Sequence, residues 1–324
     1  MDSNISVIIC THNPREDYLL RVLGALKRQT LPTDQWELLL IDNASAEPLD
    51  CKYDLSWHPN ARHVLEKELG LTPARLRGIR EACADLLVFV DDDNVLPVEY
   101  LQTALKISQE YPFLGAWGGG CEPEFEMSPP VWIMPYLANL AIFNINRPSW
   151  TNQYFDYRCT PIGAGMCIRK IAAQKYLETV KMRNSSEHLD RRGGELVSCG
   201  DHDMAYCALD LGLGVGLFPD LKPIHLIPNK RLEKDYVLKL LEADAYSAYM
   251  LRKVRNFEVE HIPPQTMKES RFARFKRCTR EFLSSLRGLI KVELDSATGK
   301  TFEELVQEAR TRGLRKAAAK FLAP

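Results

Sequence analysis

Several features that classify a protein at sight are missing from this sequence of 324 residues. It holds no Gly-x-x-x-x-Gly-Lys-Ser/Thr loop, and no Gly-x-Gly-x-x-Gly follows its first apolar run, so P-loop and dinucleotide-binding readings lose their main support. Cys10-Thr11-His12-Asn13-Pro14 is not the Gly-rich, Arg-containing loop of a sugar nucleotidyltransferase. Nine cysteines, an odd number with no Cys-x-x-Cys pair, exclude a disulfide scaffold and read as small buried apolar residues. No apolar run reaches the ~20 residues of a membrane span. The most apolar long stretch, Val131 to Ile145, is broken by Pro135, Asn139 and Asn144. Net charge is also nearly absent: 42 Lys+Arg against 43 Asp+Glu leave −1, with no general pull toward nucleic acid. The chain opens at Met1 without a charged-then-apolar segment, so the expected compartment is a reducing cytoplasm.

What is present is a repeated rhythm. Ile5 to Cys10 is a short β-rich run ending in Thr11-His12-Asn13-Pro14; Trp36 to Ile41 ends in Asp42-Asn43-Ala44-Ser45; Leu86 to Val90 runs into Asp91-Asp92-Asp93-Asn94. Helical spacing separates them, over about Glu16 to Gln29 and Pro73 to Ala84. Strands alternating with helices predict βαβ units, and thus an α/β fold with a mostly parallel sheet and helices on both faces. Each polar cluster then falls at the carboxyl end of a strand, the edge where open α/β sheets bind ligands. Asn, Asp and Pro also end strands for purely local reasons, but three clusters in register favour a shared crevice.

Three consecutive carboxylates after an apolar strand repel one another unless a cation intervenes. Mg²⁺ and Mn²⁺ favour such oxygens and often bind through one or two carboxylates plus substrate phosphates, which points to a diphosphate substrate.

Val7-Ile8-Ile9-Cys10-Thr11-His12-Asn13, Ile41-Asp42-Asn43-Ala44-Ser45, Ala74-Arg75-x-x-Gly78 and Phe89-Val90-Asp91-Asp92-Asp93 follow in order. Gly163-Ala164-Gly165-Met166, Gly200-Asp201-His202-Asp203-Met204 and His225-Leu226-Ile227-Pro228 continue the series. Together, over about residues 5 to 250, they resemble a family 2 glycosyltransferase of the GT-A fold. The resemblance implies that Thr11, His12, Asn13 and Asp42 hold the nucleotide base, usually uracil, and that Arg75 contacts base or phosphate. It places Asp91 and Asp92 near ribose and metal, makes Asp93 a direct ligand of Mn²⁺ or Mg²⁺, and lets His225 complete the coordination. A solvated helix arginine and an ordinary strand histidine are the plainer readings of Arg75 and His225.

Transfer of a sugar from a nucleotide diphosphate requires a base for the acceptor hydroxyl. The resemblance gives that task, with inversion at the anomeric carbon, to Asp201; His202 competes, and Asp201 and Asp203 also suit a helix amino terminus. Gly200 stands where the family usually has Glu. A glycan or lipid-linked glycan acceptor has a candidate region between Tyr111 and Tyr157, which holds 11 of the 29 aromatic residues, among them Trp117, Trp132 and Trp150, with Gly118-Gly119-Gly120 and Glu122. The same aromatics suit a core or a homodimer contact. A catalytically silent sugar-binding domain and a lipid-phosphate sugar transferase share the donor half of the pattern.

The neutral total conceals an asymmetry. Residues 265 to 324 carry +7 and residues 1 to 264 carry −8. The expected organisation is therefore a catalytic domain, 1–264, with its nucleotide-sugar half at 1–117 and acceptor half at 118–264, followed by a basic helical extension at 265–324. Within 265–290, Phe272, Phe275, Phe282, Leu286 and Leu289 recur at helical spacing among Arg271, Arg274, Lys276, Arg277 and Arg280. That segment either docks on the catalytic domain or lies peripherally on an anionic membrane.

Overall fold

A computed structural model describes residues 4–183, 189–259, 298 and 300–322. The expected basic amphipathic helix at 265–290 lies outside the described residues. The chain divides into two compact units. The first comprises Met1–Glu126, Ala141–Glu195 and Cys199–Pro228; the second comprises Met127–Leu140, Leu196–Ser198 and Asn229–Pro324.

The first unit carries eleven described strands: β1 (Ile5–Thr11), β2 (Trp36–Asn43), β3 (Ala61–Glu66), β4 (Leu86–Val90), β5 (Asn94–Val95), β6 (Leu114–Gly118), β7 (Glu122–Phe125), β8 (Ser149–Thr151), β9 (Cys167–Arg169), β10 (Gly214–Leu217) and β11 (Ile224–Ile227). Its helices are α1 (Glu16–Lys27), α2 (Leu71–Glu81), α3 (Tyr100–Glu110), α4 (Lys170–Lys181) and α5 (Gly200–Asp210). Eight strands form one sheet in the order β3-β2-β1-β4-β9-β6-β10-β8, parallel except for β9 and β8. A second sheet runs β5-β11-β7.

Strands β2 and β4 are buried at every residue, as a parallel sheet covered on both faces requires. Ile5, Val7 and Ile9 of β1 point to one face, where Leu19, Val22 and Leu26 of α1 complete the core. These positions follow the 3.6-residue rhythm of α1, and its Glu16 and Asp17 complement the helix dipole at the first turn. Ile8 points to the other face, against α2. A Cβ on Gly78 would lie 2.5 Å from Ile8 Cγ2, so the glycine sets how closely α2 seats on β1. Burying each such Ile, Leu or Val contributes roughly 1.5–3 kcal/mol. Polar groups inside this core are paired: Ser6 Oγ donates to Glu37 Oε1 at 2.6 Å, and the Cys83 and Ala84 amides donate to Glu37 Oε1 and Ser6 Oγ, anchoring the entry to β4.

Among its described residues the second unit is helical, with α6 (Lys234–Val254) packed along α7 (Phe302–Leu322). Gly313 permits the close approach, because a Cβ there would sit 2.1 Å from the Glu242 carbonyl oxygen. Arg312 and Lys316 of α7 pair with Glu242 of α6, and Trp132 and Tyr136 set their rings edge-on to Phe302. Within this unit α6 makes its packing partner of α7. Among the described residues, no helix is long and apolar enough to cross a membrane.

Candidate active site

In the order β2-β1-β4, parallel strands place Thr11, Asp42 and Asp91 at one sheet edge, with Thr11 and Asp42 in register. The Thr11 hydroxyl donates to Asp92 Oδ2, tying the first cluster to the third. Asp42, buried, accepts the Ser45 amide on Oδ1 at 3.0 Å and the Leu49 amide on Oδ2 at 3.2 Å, so it shapes the turn leaving β2. His12 Nδ1 donates to the Asn43 carbonyl at 2.8 Å, since that oxygen only accepts, and Nε2 then accepts from Asn13 Nδ2 at 2.9 Å. Both ring nitrogens are held, which fixes the plane of this exposed imidazole. Asn13 adopts a left-handed φ of 48°, stabilised by its Oδ1 accepting the Ala46 amide.

The acidic cluster is a turn in which the Asn94 amide donates to the Asp91 carbonyl. Strand β11 pairs with β5 so that His225 stands opposite Asn94, bringing His225 Nε2 within 3.4 Å of Asp93 Oδ2. Fully buried Asn94 donates from Nδ2 to Asp93 Oδ1 at 3.0 Å and orients that carboxylate. Burial raises the pKa of Asp91, and Asp93 and Asp201 raise it further, against the opposing pull of Arg75 and His225. The carboxylates therefore form one electrostatic group. Nearby Cys10 is no nucleophile, because burial pushes its thiol up to about 12.

Asp201 lies in the first turn of α5, so the helix-start reading holds. Its Oδ2 accepts the Gly163 amide and its Oδ1 the His202 amide, both at 2.8 Å. Burial alone would raise its pKa, but His202, Arg75 and the two amides outweigh burial and hold it below the usual carboxylate range. Asp203 is fully buried and clamped by both terminal nitrogens of Arg183, which assigns it to structure.

Arg75 is not a solvated helix arginine. It is 4% exposed, and its Nη1 donates to Asp190 Oδ1 at 3.0 Å and Oδ2 at 3.1 Å. Burial works against its charge, yet the carboxylates of Asp190, Asp201 and Asp91 keep it protonated. Gly163 gives it room, since a Cβ there would lie 2.6 Å from Nη2.

The aromatic stretch does not form one acceptor face. Trp117 is fully buried in the sheet core; Trp132 belongs to the helical unit; half-exposed Trp150 clusters with Tyr111 and Phe113 beside the β8 edge. Gly119 and Gly120 are packing glycines, for a Cβ would fall 1.6 Å from the Leu221 oxygen and 1.9 Å from the Phe143 oxygen. Glu122 is exposed on β7 and pairs with Lys222. Asn94, seen in the sequence only as the end of the acidic run, and Asp190, not singled out at all, are additional members of the site.

Among the described residues, no three His, Cys, Asp or Glu side chains converge to enclose an ion by themselves. Asp93 with His225 nonetheless offers one oxygen and one nitrogen donor at close range, beside a second carboxylate, Asp91, whose charge a cation would relieve. Such a partial set fits Mn²⁺ or Mg²⁺, which take remaining positions from water and substrate phosphates.

A GT-A-like α/β sheet with an acidic carboxyl edge defines the class of the first unit. The family model described as "Glycosyl transferase family 2" matches residues 6–173, and the chain belongs to that family. It is 34% identical over 102 residues to polypeptide N-acetylgalactosaminyltransferase 16 of Mus musculus, and 33% identical over 104 residues to validoxylamine A glucosyltransferase of Streptomyces hygroscopicus subsp. limoneus. Each match takes in 31% of this chain but only 18% and 23% of those relatives, so the chain spans less than a quarter of their length. The crystal structure of S. aureus TarS 1-349 in complex with UDP-GlcNAc shares the fold, with TM-score 0.50 and 14% identity over 79% of this chain and 72% of that one.

Proposed function

We propose that this chain transfers a sugar, with inversion, from a nucleotide diphosphate donor to an acceptor hydroxyl, and that the donor is a UDP-sugar. The observation that carries this reading is that Asp201, held at the start of α5 by the Gly163 and His202 amides, acts on the charge of Asp91, to which Asp93 and its close neighbour His225 are also coupled. A base and a diphosphate-anchoring acidic group are the two functions that in-line glycosyl transfer needs.

In this mechanism Thr11, Asn13 and the fixed ring of His12 receive the nucleoside, with Asp42 holding the turn beneath it and accepting the imide N–H. Asp91 and Asp92 face the ribose, and Asp93 with His225 would hold the divalent cation. When bound there, Mn²⁺ or Mg²⁺ supplies Lewis-acid stabilisation of the leaving diphosphate. Arg75 presents positive charge to the same side. Asp201 accepts the proton of the acceptor hydroxyl as its oxygen attacks the anomeric carbon. Its lowered pKa keeps it ionised through the neutral range. The acceptor is a hydroxyl of a glycan or lipid-linked glycan.

The UDP-GlcNAc complex of TarS supports uridine as the first nucleotide to test. A thermal-shift panel of UDP, GDP, dTDP and CMP with and without Mn²⁺ is the direct assay, since ligand at 100 times its Kd stabilises by about 2.7 kcal/mol. UDP with Mn²⁺ is expected to raise Tm most. Equal shifts from all four nucleotides, or none, would overturn the donor assignment.

A further inference from the structure

We propose that Asp190 is the positioning residue for Arg75 in the transfer site, and that its carboxylate occupies, from a separate segment, the space of a side chain at position 200. The proposal rests on the sugar-transfer reading above for its kinetic consequence, but on geometry for its placement.

Position 200 does not need glycine for its backbone. The left-handed residue before α5 is Cys199, with φ 78°, whereas Gly200 is the first helical residue and is not among the positive-φ glycines. What excludes a side chain is Asp190: a Cβ on Gly200 would lie 2.2, 2.3 and 2.4 Å from its Oδ2, Cγ and Oδ1. A residue at 200 and the Asp190 carboxylate are therefore alternatives for one volume.

The rest of the contact is directed at Arg75. Asp190 is 5% exposed and offers both oxygens to Arg75 Nη1, while Oδ2 also accepts from Thr72 Oγ1 at 2.9 Å. Thr72 and Arg75 are three apart and share a face of α2, so one carboxylate grips the helix at two points. Gly163 leaves room for the guanidinium, since a Cβ there would lie 2.6 Å from Nη2. The other carboxylates whose charges act on Arg75 are Asp201 and Asp91. If Asp190 is lost, a buried cation turns toward them, and the base is neutralised by its own neighbour.

The test compares the wild-type chain with Asp190→Asn, Asp190→Ala, Gly200→Glu and the double variant Asp190→Ala/Gly200→Glu. Readouts are kcat and KM for hydrolysis of UDP-glucose and UDP-N-acetylglucosamine with Mn²⁺, together with Tm. Asp190→Asn is expected to lower kcat at least tenfold. Gly200→Glu alone is expected to lose activity through the clash, and the double variant to recover at least tenfold over Asp190→Ala. Rescue by a carboxylate moved to another position is a result that generic loss of packing does not produce. A folded Asp190→Asn with kcat within twofold of wild type overturns the positioning role, and a double variant no better than either single overturns the shared volume. Should Asp190→Asn not fold, the double variant decides by the same criterion. Absence of turnover in wild type would instead overturn the sugar-transfer reading, and the shared volume is then decided by whether the double variant melts above Asp190→Ala.

Discussion

Replacing Arg75 by Met keeps most of a long aliphatic stem in place while removing the charge that Asp190 faces at 3.0 and 3.1 Å. A buried carboxylate without its partner can always escape by taking a proton. Its cost is capped near 1.36 kcal/mol for each pH unit between the solution and an unfolded pKa of about 3.9. That ceiling is about 5 kcal/mol at pH 7.5 and about 2 kcal/mol at pH 5.5. Burial already raises the pKa of Asp190 in the wild type, so its own share of the deficit stays below that ceiling, in the roughly 3–5 kcal/mol range of broken buried pairs at the higher pH. A carboxylate whose folded pKa is raised costs stability in full above that pKa, and the cost is relieved as pH falls from the folded toward the unfolded pKa. Asp91 and Asp201 also face Arg75 and shift in the same direction when it is removed. Urea unfolding of wild type and Arg75→Met at both pH values should therefore show a deficit that shrinks by half or more on acidification. A deficit that is equal at the two pH values, or larger in acid, would refute the buried-pair argument.

Other outcomes follow from the same geometry. Asp93→Asn and His225→Ala should each abolish the Mn²⁺-dependent part of the UDP thermal shift and leave the metal-free part; an unchanged Mn²⁺ increment would remove the pair from metal binding. Gly78→Ala should destabilise by roughly 1–3 kcal/mol through overpacking on Ile8. Gly194→Ala, where a Cβ meets nothing within 4 Å, should be neutral or stabilising by up to about 1 kcal/mol; chemical denaturation that orders the two variants the other way would contradict the packing.

Much of the donor side is legible in the sequence because its signals are local. An apolar run followed at once by Thr11, Asp42 or Asp91 states both a strand and the polar group at its end, and parallel pairing of three such strands then places the groups together. Strand β9 was not legible: three residues inserted antiparallel between β4 and β6 are too few to show a period. Aromatic density does not separate an acceptor face from a core, since Trp117 in a sheet core and half-exposed Trp150 are alike in composition and differ only in what covers them. Asp190 was invisible because its partner lies 115 residues away and nothing near it is patterned. The trace it left was negative, the missing side chain at Gly200, which becomes informative only once the carboxylate is seen in that volume.

The central claim is that Asp201 removes the acceptor proton in a UDP-sugar transfer. Asp201→Asn preserves the shape of the side chain and an oxygen to accept an amide, so it isolates the base from the scaffold. Turnover of a UDP-sugar and calorimetric binding of UDP with Mn²⁺ should be measured on the same preparation. Turnover is expected to fall by about 100-fold or more, in line with the loss of a general base, while the UDP Kd stays within twofold. Near-normal turnover in a folded Asp201→Asn would contradict it.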